Sequence, residues 1–294
     1  MTGYHHVDVF ADRPYTGNSL AVFVDPPHLE AERMLRVVQE LRHFETIFVH
    51  TADGAPGVVR ARVFDLIEEL DFAGHPVIGA AAVLHERAGA EPGEERAWTF
   101  ELKAGTVRVT TSGERPGQVS ALLDQGRPEF VTEKAPLERA AVAEALSLAE
   151  DDLDAGLPLE IVSTGLRYLI IAVRGGDALA RAHIRHPDFG GVLERLGAQF
   201  AYVLDAEAIE GRHWNNDGVL EDVATGSAAG CVAAYLLRHG RARDGEELSL
   251  AQGRFTGRPS RIAITAHGTA GDVQRVTVGG GVASVGTGSL RVLP

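Results

Sequence analysis

One cysteine, Cys231, occurs in 294 residues. That excludes an internal disulfide, a cysteine-rich zinc site and catalysis by a pair of thiols from one chain. Lysine is almost as scarce, at Lys103 and Lys134, and no basic block is present; 41 acids against 28 bases leave a formal charge of −13. This balance argues against nucleic acid or an anionic membrane surface as a partner, and for a small-molecule ligand. No apolar run approaches the roughly 20 residues of a membrane helix, and Met1–Phe10 has neither the basic start nor the apolar stretch of a secretory signal. The expectation is a cytoplasmic protein. There is also no Walker loop and no nucleophile elbow, and Gly279-Gly280-Gly281 lacks the strand-to-helix setting of a dinucleotide fingerprint. His183, His186 and Asp188 have metal-like spacing, but they stand in a polar loop without a second cluster, so no metal is expected.

What is present is a globular composition, 45% hydrophobic and 23% charged, sufficient for one large domain or two half-sized ones. Short runs rich in Val, Ile, Phe and Thr predict strands at His6–Phe10, Leu20–Val24, Thr46–His50, Val58–Phe64, Ala97–Leu102, Thr106–Thr111, Leu159–Val162, Tyr168–Val173, Phe200–Leu204, Ile262–Ala266 and Val273–Val278. Helices are predicted at Leu29–Leu41, His75–Arg87, Pro136–Leu148 and Ser227–His239. Pro and Gly near residue 117 suggest a boundary there.

Two stretches 152 residues apart share a syntax. An acidic lead, Glu68-Glu69 or Glu221-Asp222, precedes a glycine turn, Gly74 or Gly226, and then a helix apolar on most faces. An offset near half the chain predicts two related halves, each burying a central helix within its own sheet.

A helix start leaves its first amides without intrahelical partners and carries partial positive charge, so two such starts suit a carboxylate. A single one is more simply explained by Thr225 or Ser227 acting as an N-cap. His75, directly before Pro76, stands where a proton carrier or ligand donor would be useful; Asp71 and Asp222 precede the two helices, as helix dipoles alone would favour. Glu45 lies between Phe44 and the apolar run Ile47–Val49, and burial there would raise its pKa and let it take and return a proton. Asn18, in the turn Tyr15–Ser19, either caps locally or reaches a ligand.

Taken in order, Gly17-Asn18, Glu45-Thr46, Glu69-Leu70-Asp71-Phe72-Ala73-Gly74-His75-Pro76, Ser163-Thr164-Gly165, Glu221–Ser227 and Gly257-Arg258-Pro259-Ser260 resemble the PhzF-like (phenazine biosynthesis) isomerase family along nearly the whole chain. The resemblance implies an α+β, diaminopimelate-epimerase-like fold of two similar lobes, each a curled sheet around a central helix, with the active site in the cleft between them. The lobes would be 1–117, to which 284–294 returns, and 118–283. It implies a homodimer and a cofactor-free isomerisation of a small unsaturated or cyclic carboxylic acid, such as a dihydro-hydroxyanthranilate. Residue by residue, the family's proton-shuttling glutamate falls on Glu45, its histidine on His75 and its aspartate on Asp222. Asn18, Asp71, Gly74, Thr225, Gly226 and Ser227 fall on the substrate-lining positions. Two alternatives remain: an epimerase or racemase using Glu45 with Asp222 or His75, and a non-catalytic binder of small acids on the same fold. The family usually has proline where this chain has Ser19, Asp71 and Val223, and a small residue where it has Phe44, so these four positions are expected to alter substrate choice.

Overall fold

The computed structural model describes residues 1–52, 55–71, 74–115 and 117–294, with the side chain of Glu114 excluded. Phe72 and Ala73 of the first helix-entry motif, and Pro116 of the expected boundary, lie outside the described residues. The chain divides into two units, 1–124 with 279–294, and 125–278.

The first unit runs β1 (Thr2–Val9), β2 (Asn18–Val24), α1 (Ala31–Leu41), β3 (Glu45–Thr51), β4 (Val58–Phe64), β5 (Glu69–Leu70), α2 (His75–Arg87), β6 (Glu95–Leu102), β7 (Gly105–Arg115) and β8 (Gln118–Gly126). The second runs β9 (Glu129–Val131), α3 (Arg139–Ala145), β10 (Glu160–Ser163), β11 (Arg167–Val173), α4 (Gly175–Arg181), α5 (Phe189–Leu196), β12 (Phe200–Asp205), β13 (Glu210–Trp214), β14 (Glu221–Asp222), α6 (Gly226–Arg238), β15 (Glu247–Gln252) and β16 (Ser260–Thr269). The last strand, β17 (Asp272–Leu290), begins in the second unit and ends in the first.

In the first unit β1 lies antiparallel between β2 and β17. β2 and β3 are parallel, β3 and β4 antiparallel, β4 and β6 parallel, and β6, β7 and β8 a meander. β8 also pairs with β17, so the sheet curls back on itself. α2 packs on β1, β2, β3, β6 and β7, and every residue from His75 to His85 is buried. The helix can sit this close because its wall-facing residues are small: a Cβ on Gly79 would come within 2.5 Å of Leu20 and 2.9 Å of Val9. On the opposite face of the sheet α1 buries Met34, Val37 and Val38 against Ala21, Phe23, Phe48 and Phe64, with Phe23 and Phe48 stacked at 4.8 Å.

The second unit repeats this plan. β11 and β12 are parallel, as β2 and β3 are; β12, β13 and β14 follow antiparallel, as β3, β4 and β5 do; α6 packs on β10, β11 and β16. α3, α4 and α5 cover the far face, where Leu169, Ile171, Ala201 and Val203 join Leu179 and Leu193 in one core.

The division falls after Asp124, not near 117, and the returning segment starts at Gly279, not 284. Arg115 pairs with Gln118 across the β7–β8 hairpin and Gly117 has φ +78°, so the glycine at the expected boundary is a hairpin turn inside the first unit. The second helix starts at Gly226 and ends at Arg238, one residue earlier at each end than expected.

Candidate active site

In the first unit, β3 opens on Glu45, paired in parallel register with Leu20 of β2. Strand alternation turns Asn18 and Leu20 to one face, and Leu20 touches the α2 side through Gly79. Asn18 is the first residue of β2 and 2% exposed. It follows Gly17, whose φ of +61° and tight approach to the Val9 carbonyl leave no room for a side chain. α2 opens on His75 with Pro76 behind it, a residue suited to a position whose amide lacks an intrahelical partner. His75 Nδ1 lies 3.8 Å from Glu45 Oε2, with side-chain exposures of 6% and 15%. The fold thus brings a carboxyl and an imidazole together in nearly dry surroundings at a helix start.

Three further groups of this unit carry polar contacts. Arg62 forks onto Glu69 with two 2.7 Å bonds, tying β4 to β5 and, with that bonding as the main cause, holding the Glu69 carboxyl below the usual range. Asp71 is exposed and meets Lys103 Nζ at 2.5 Å, so its charge is compensated within the unit. Ser19 Oγ lies 2.9 Å from His6 Nε2 and 2.8 Å from His43 Nδ1, and Phe44 beside it is half-buried. A proline at Ser19 would have no hydroxyl for either histidine.

In the second unit, β14 sets Asp222 opposite His213 and Glu221 opposite Trp214. Glu221 is forked by Arg212 at 2.9 and 2.7 Å. The same guanidinium donates to the carbonyls of Leu179, Ala180 and Ala182 at the end of α4, and lies between Trp214 and Phe255 at 4.4 and 4.2 Å. Glu221 therefore ties β14 to β13 through Arg212. Thr225 occupies the N-cap position of α6 without making a side-chain cap bond; its Oγ1 donates to Asp222 Oδ2 at 2.6 Å. Gly226 and Ser227 begin α6, and Ser227 Oγ lies 2.7 Å from Tyr168 Oη. Tyr168, Phe200 and His213 form a mutual ring cluster with centroids 5.5 to 5.7 Å apart. His213 Nδ1 lies 2.9 Å from the Ala201 carbonyl, and burial pushes its pKa down, keeping it a neutral imidazole that donates there. Burial pushes the Cys231 thiol up to about 12, so it is not a nucleophile.

Glu45, His75, Asn18, Gly74 and Asp71 thus belong to the first unit, and Asp222, Thr225, Gly226 and Ser227 to the second. Sequence reasoning missed Tyr168, Arg62, Arg212 and Gln252. The Arg-x-Phe of β4 and Arg-x-Trp of β13, each followed by a glutamate, were a usable signal for the two forks. The Ser260 of the downstream motif donates to the carbonyls of Val223 and Gln252, and so braces the Asp222 loop.

The family described as phenazine biosynthesis-like protein matches residues 7–288. The chain is 32% identical to a trans-2,3-dihydro-3-hydroxyanthranilate isomerase of Pseudomonas chlororaphis over 99% of both chains. Among solved structures, a predicted epimerase of Pseudomonas aeruginosa is 44% identical, with TM-score 0.88 over 99% of this chain and all of that one. A probable proline racemase of Agrobacterium radiobacter, 14% identical, shares the fold at TM-score 0.62 over all of this chain and 94% of its own.

Proposed function

The chain belongs to the phenazine biosynthesis-like family, and from that premise we propose that it is a cofactor-independent isomerase that relocates a proton and a double bond in a small unsaturated or cyclic carboxylic acid. The relatives' substrate, trans-2,3-dihydro-3-hydroxyanthranilate, is the model for that acid. The carrying observation is the Glu45–His75 pair, 3.8 Å apart at the start of a fully buried helix.

The chemistry needs one carrier. Glu45, as carboxylate, takes a proton from an sp³ carbon of the substrate; the electron pair moves through the conjugated system; the carboxylic acid returns that proton to a carbon further along. No atom is gained or lost. Low exposure of the carboxyl favours this, since water would compete for the proton and screen every charge in the site. The imidazole of His75 stabilises charge developing beside Glu45. The amides at the start of α6, with Ser227 Oγ, suit the substrate carboxylate, and Asp222 suits an amino or hydroxyl donor on the same molecule. In this proposal the protein acts as the homodimer that the family resemblance implies.

The epimerase alternative would use Asp222 or His75 as the second carrier; no second glutamate is offered by the first residue of β12, which is Phe200. Incubation with trans-2,3-dihydro-3-hydroxyanthranilate in deuterated water, followed by NMR, separates the readings. Isomerisation relocates the double bond and is lost in Glu45→Gln; inversion of a centre without relocation would overturn the proposal.

A further inference from the structure

Gln252 ends β15 at 1% exposure, and every hydrogen-bonding capacity of its amide is taken. Oε1 accepts from Tyr202 Oη at 2.9 Å and from the Thr225 amide at 3.2 Å. Nε2 donates to the Asp222 carbonyl and to Thr225 Oγ1, both at 2.9 Å. The polarity is forced, because the Thr225 amide can only donate and the Asp222 carbonyl can only accept. With Nε2 donating to Thr225 Oγ1, the threonine proton goes to Asp222 Oδ2 at 2.6 Å, while the Ala224 amide reaches Oδ1 at 3.3 Å. At the far end Tyr202 stays a phenol, since burial and then the Asp222 charge push its pKa well up.

We propose that Gln252 is a positioning residue for Asp222. The series of one-way bonds Tyr202 to Gln252 to Thr225 to Asp222 holds Oδ2 while the Ala224 amide holds Oδ1, and together they fix the carboxylate plane and present it to the substrate in one orientation. The inference rests on the reading of Asp222 as a substrate contact. A buried chain of oriented bonds strengthens each member, whereas a partly satisfied one is costly. An apolar residue at the end of β15 would take these partners from the Tyr202 hydroxyl, the Thr225 amide and the Asp222 carbonyl; the glutamine amide serves them and gives direction to the loop from Asp222 to Thr225. Ser260 Oγ reinforces it by donating to the carbonyls of both Val223 and Gln252 at 3.1 Å. The structure thereby assigns Asp222 the task of holding a substrate N–H or O–H donor in register, with the proton ferry left to Glu45.

The test uses the full chain and four variants: Gln252→Glu, which keeps the shape but loses both N–H donors, Thr225→Val, Thr225→Ser and Asp222→Asn. Crystal structures should show the Asp222 carboxylate turned away from its wild-type orientation in Gln252→Glu and Thr225→Val. On trans-2,3-dihydro-3-hydroxyanthranilate, kcat of Gln252→Glu should fall about 10²-fold with KM changed by roughly threefold or less, the pattern of a misaligned rather than an absent contact. Thr225→Ser, which keeps the hydroxyl, should recover roughly tenfold or more over Thr225→Val. An unmoved Asp222 carboxylate in Gln252→Glu overturns the inference, as does near-wild-type kcat in that variant while Asp222→Asn is inactive. Full activity of Asp222→Asn overturns the reading of Asp222 instead, and the crystallographic orientation then decides the positioning role by itself.

Discussion

Each unit runs two parallel strands beside its buried helix, and the second of these strands opens differently: on Glu45 against Leu20 in one unit, on Phe200 against Tyr168 in the other. The frames agree, down to an arginine–glutamate fork joining β4 to β5 and β13 to β14. The chemistry diverges. One unit holds a carboxyl beside an imidazole, separated by more than a hydrogen bond; the other holds a carboxylate whose oxygens are both engaged and a ring cluster where the first has Glu45. A repeated scaffold thus carries unlike side chains, because only the backbone plan and the forks are shared.

The comparison can be broken most severely at Glu45. Glu45→Gln should lower turnover by about 10³-fold, within the usual range for loss of an acid–base group, and Phe200→Glu added to it should restore nothing, as read by NMR of the isomerisation. Next come the forks. Arg212→Ala leaves Glu221 and three carbonyls unpaired in a buried setting and should cost about 3–5 kcal/mol in denaturant unfolding. Arg62→Ala should cost about 1 kcal/mol, because that guanidinium is 34% exposed and water replaces much of what is lost. A smaller effect is a pH dependence shared by both units, since burial also lowers the pKa of His5 and His85 in the first. His213 is held neutral by burial and takes up a proton on unfolding once the pH is below the ordinary histidine value of 6.5, so stability present above that value is lost as pH falls below it. The melting temperature should therefore drop between pH 7 and 5.5, and His213→Phe should flatten part of that slope. Least of all, Asp71→Asn should leave the denaturant midpoint unchanged within error, since its partner Lys103 is exposed and water screens the pair.

Where the sequence was read correctly, the signal was local. His75–Arg87 matches its expected limits because an apolar, alanine-rich run with proline near its start has few other conformations available. β13 was missed because Glu210–Trp214 looks polar; its arginine is buried only because α4 offers carbonyls and Trp214 and Phe255 offer ring faces, none of them local in sequence. β8 and β15 were passed over for lack of bulky β-branched residues, and α5 because Gly190-Gly191 opens it. The expected α3, Pro136–Leu148, shortened to Arg139–Ala145. The expected final strand stopped at Val278 before three glycines, yet β17 continues, since the glycines let neighbouring backbone come close: a Cβ on Gly281 would stand 2.8 Å from the Ala11 carbonyl. The candidate site was legible where motif residues are contiguous. Gln252 was not, because a lone glutamine 30 residues beyond Asp222 acquires its meaning only through the fold.

β17 also sets an order of events. The second unit is one continuous segment, whereas the first lacks the strand between β1 and β8 until 279–294 has been synthesised. Pairings of such wide sequence separation are entropically slow to form. A growing chain can complete the later-encoded unit before the earlier one, so an N-terminal strand edge waits for its last neighbour, and a prematurely terminated chain loses the unit that carries Glu45.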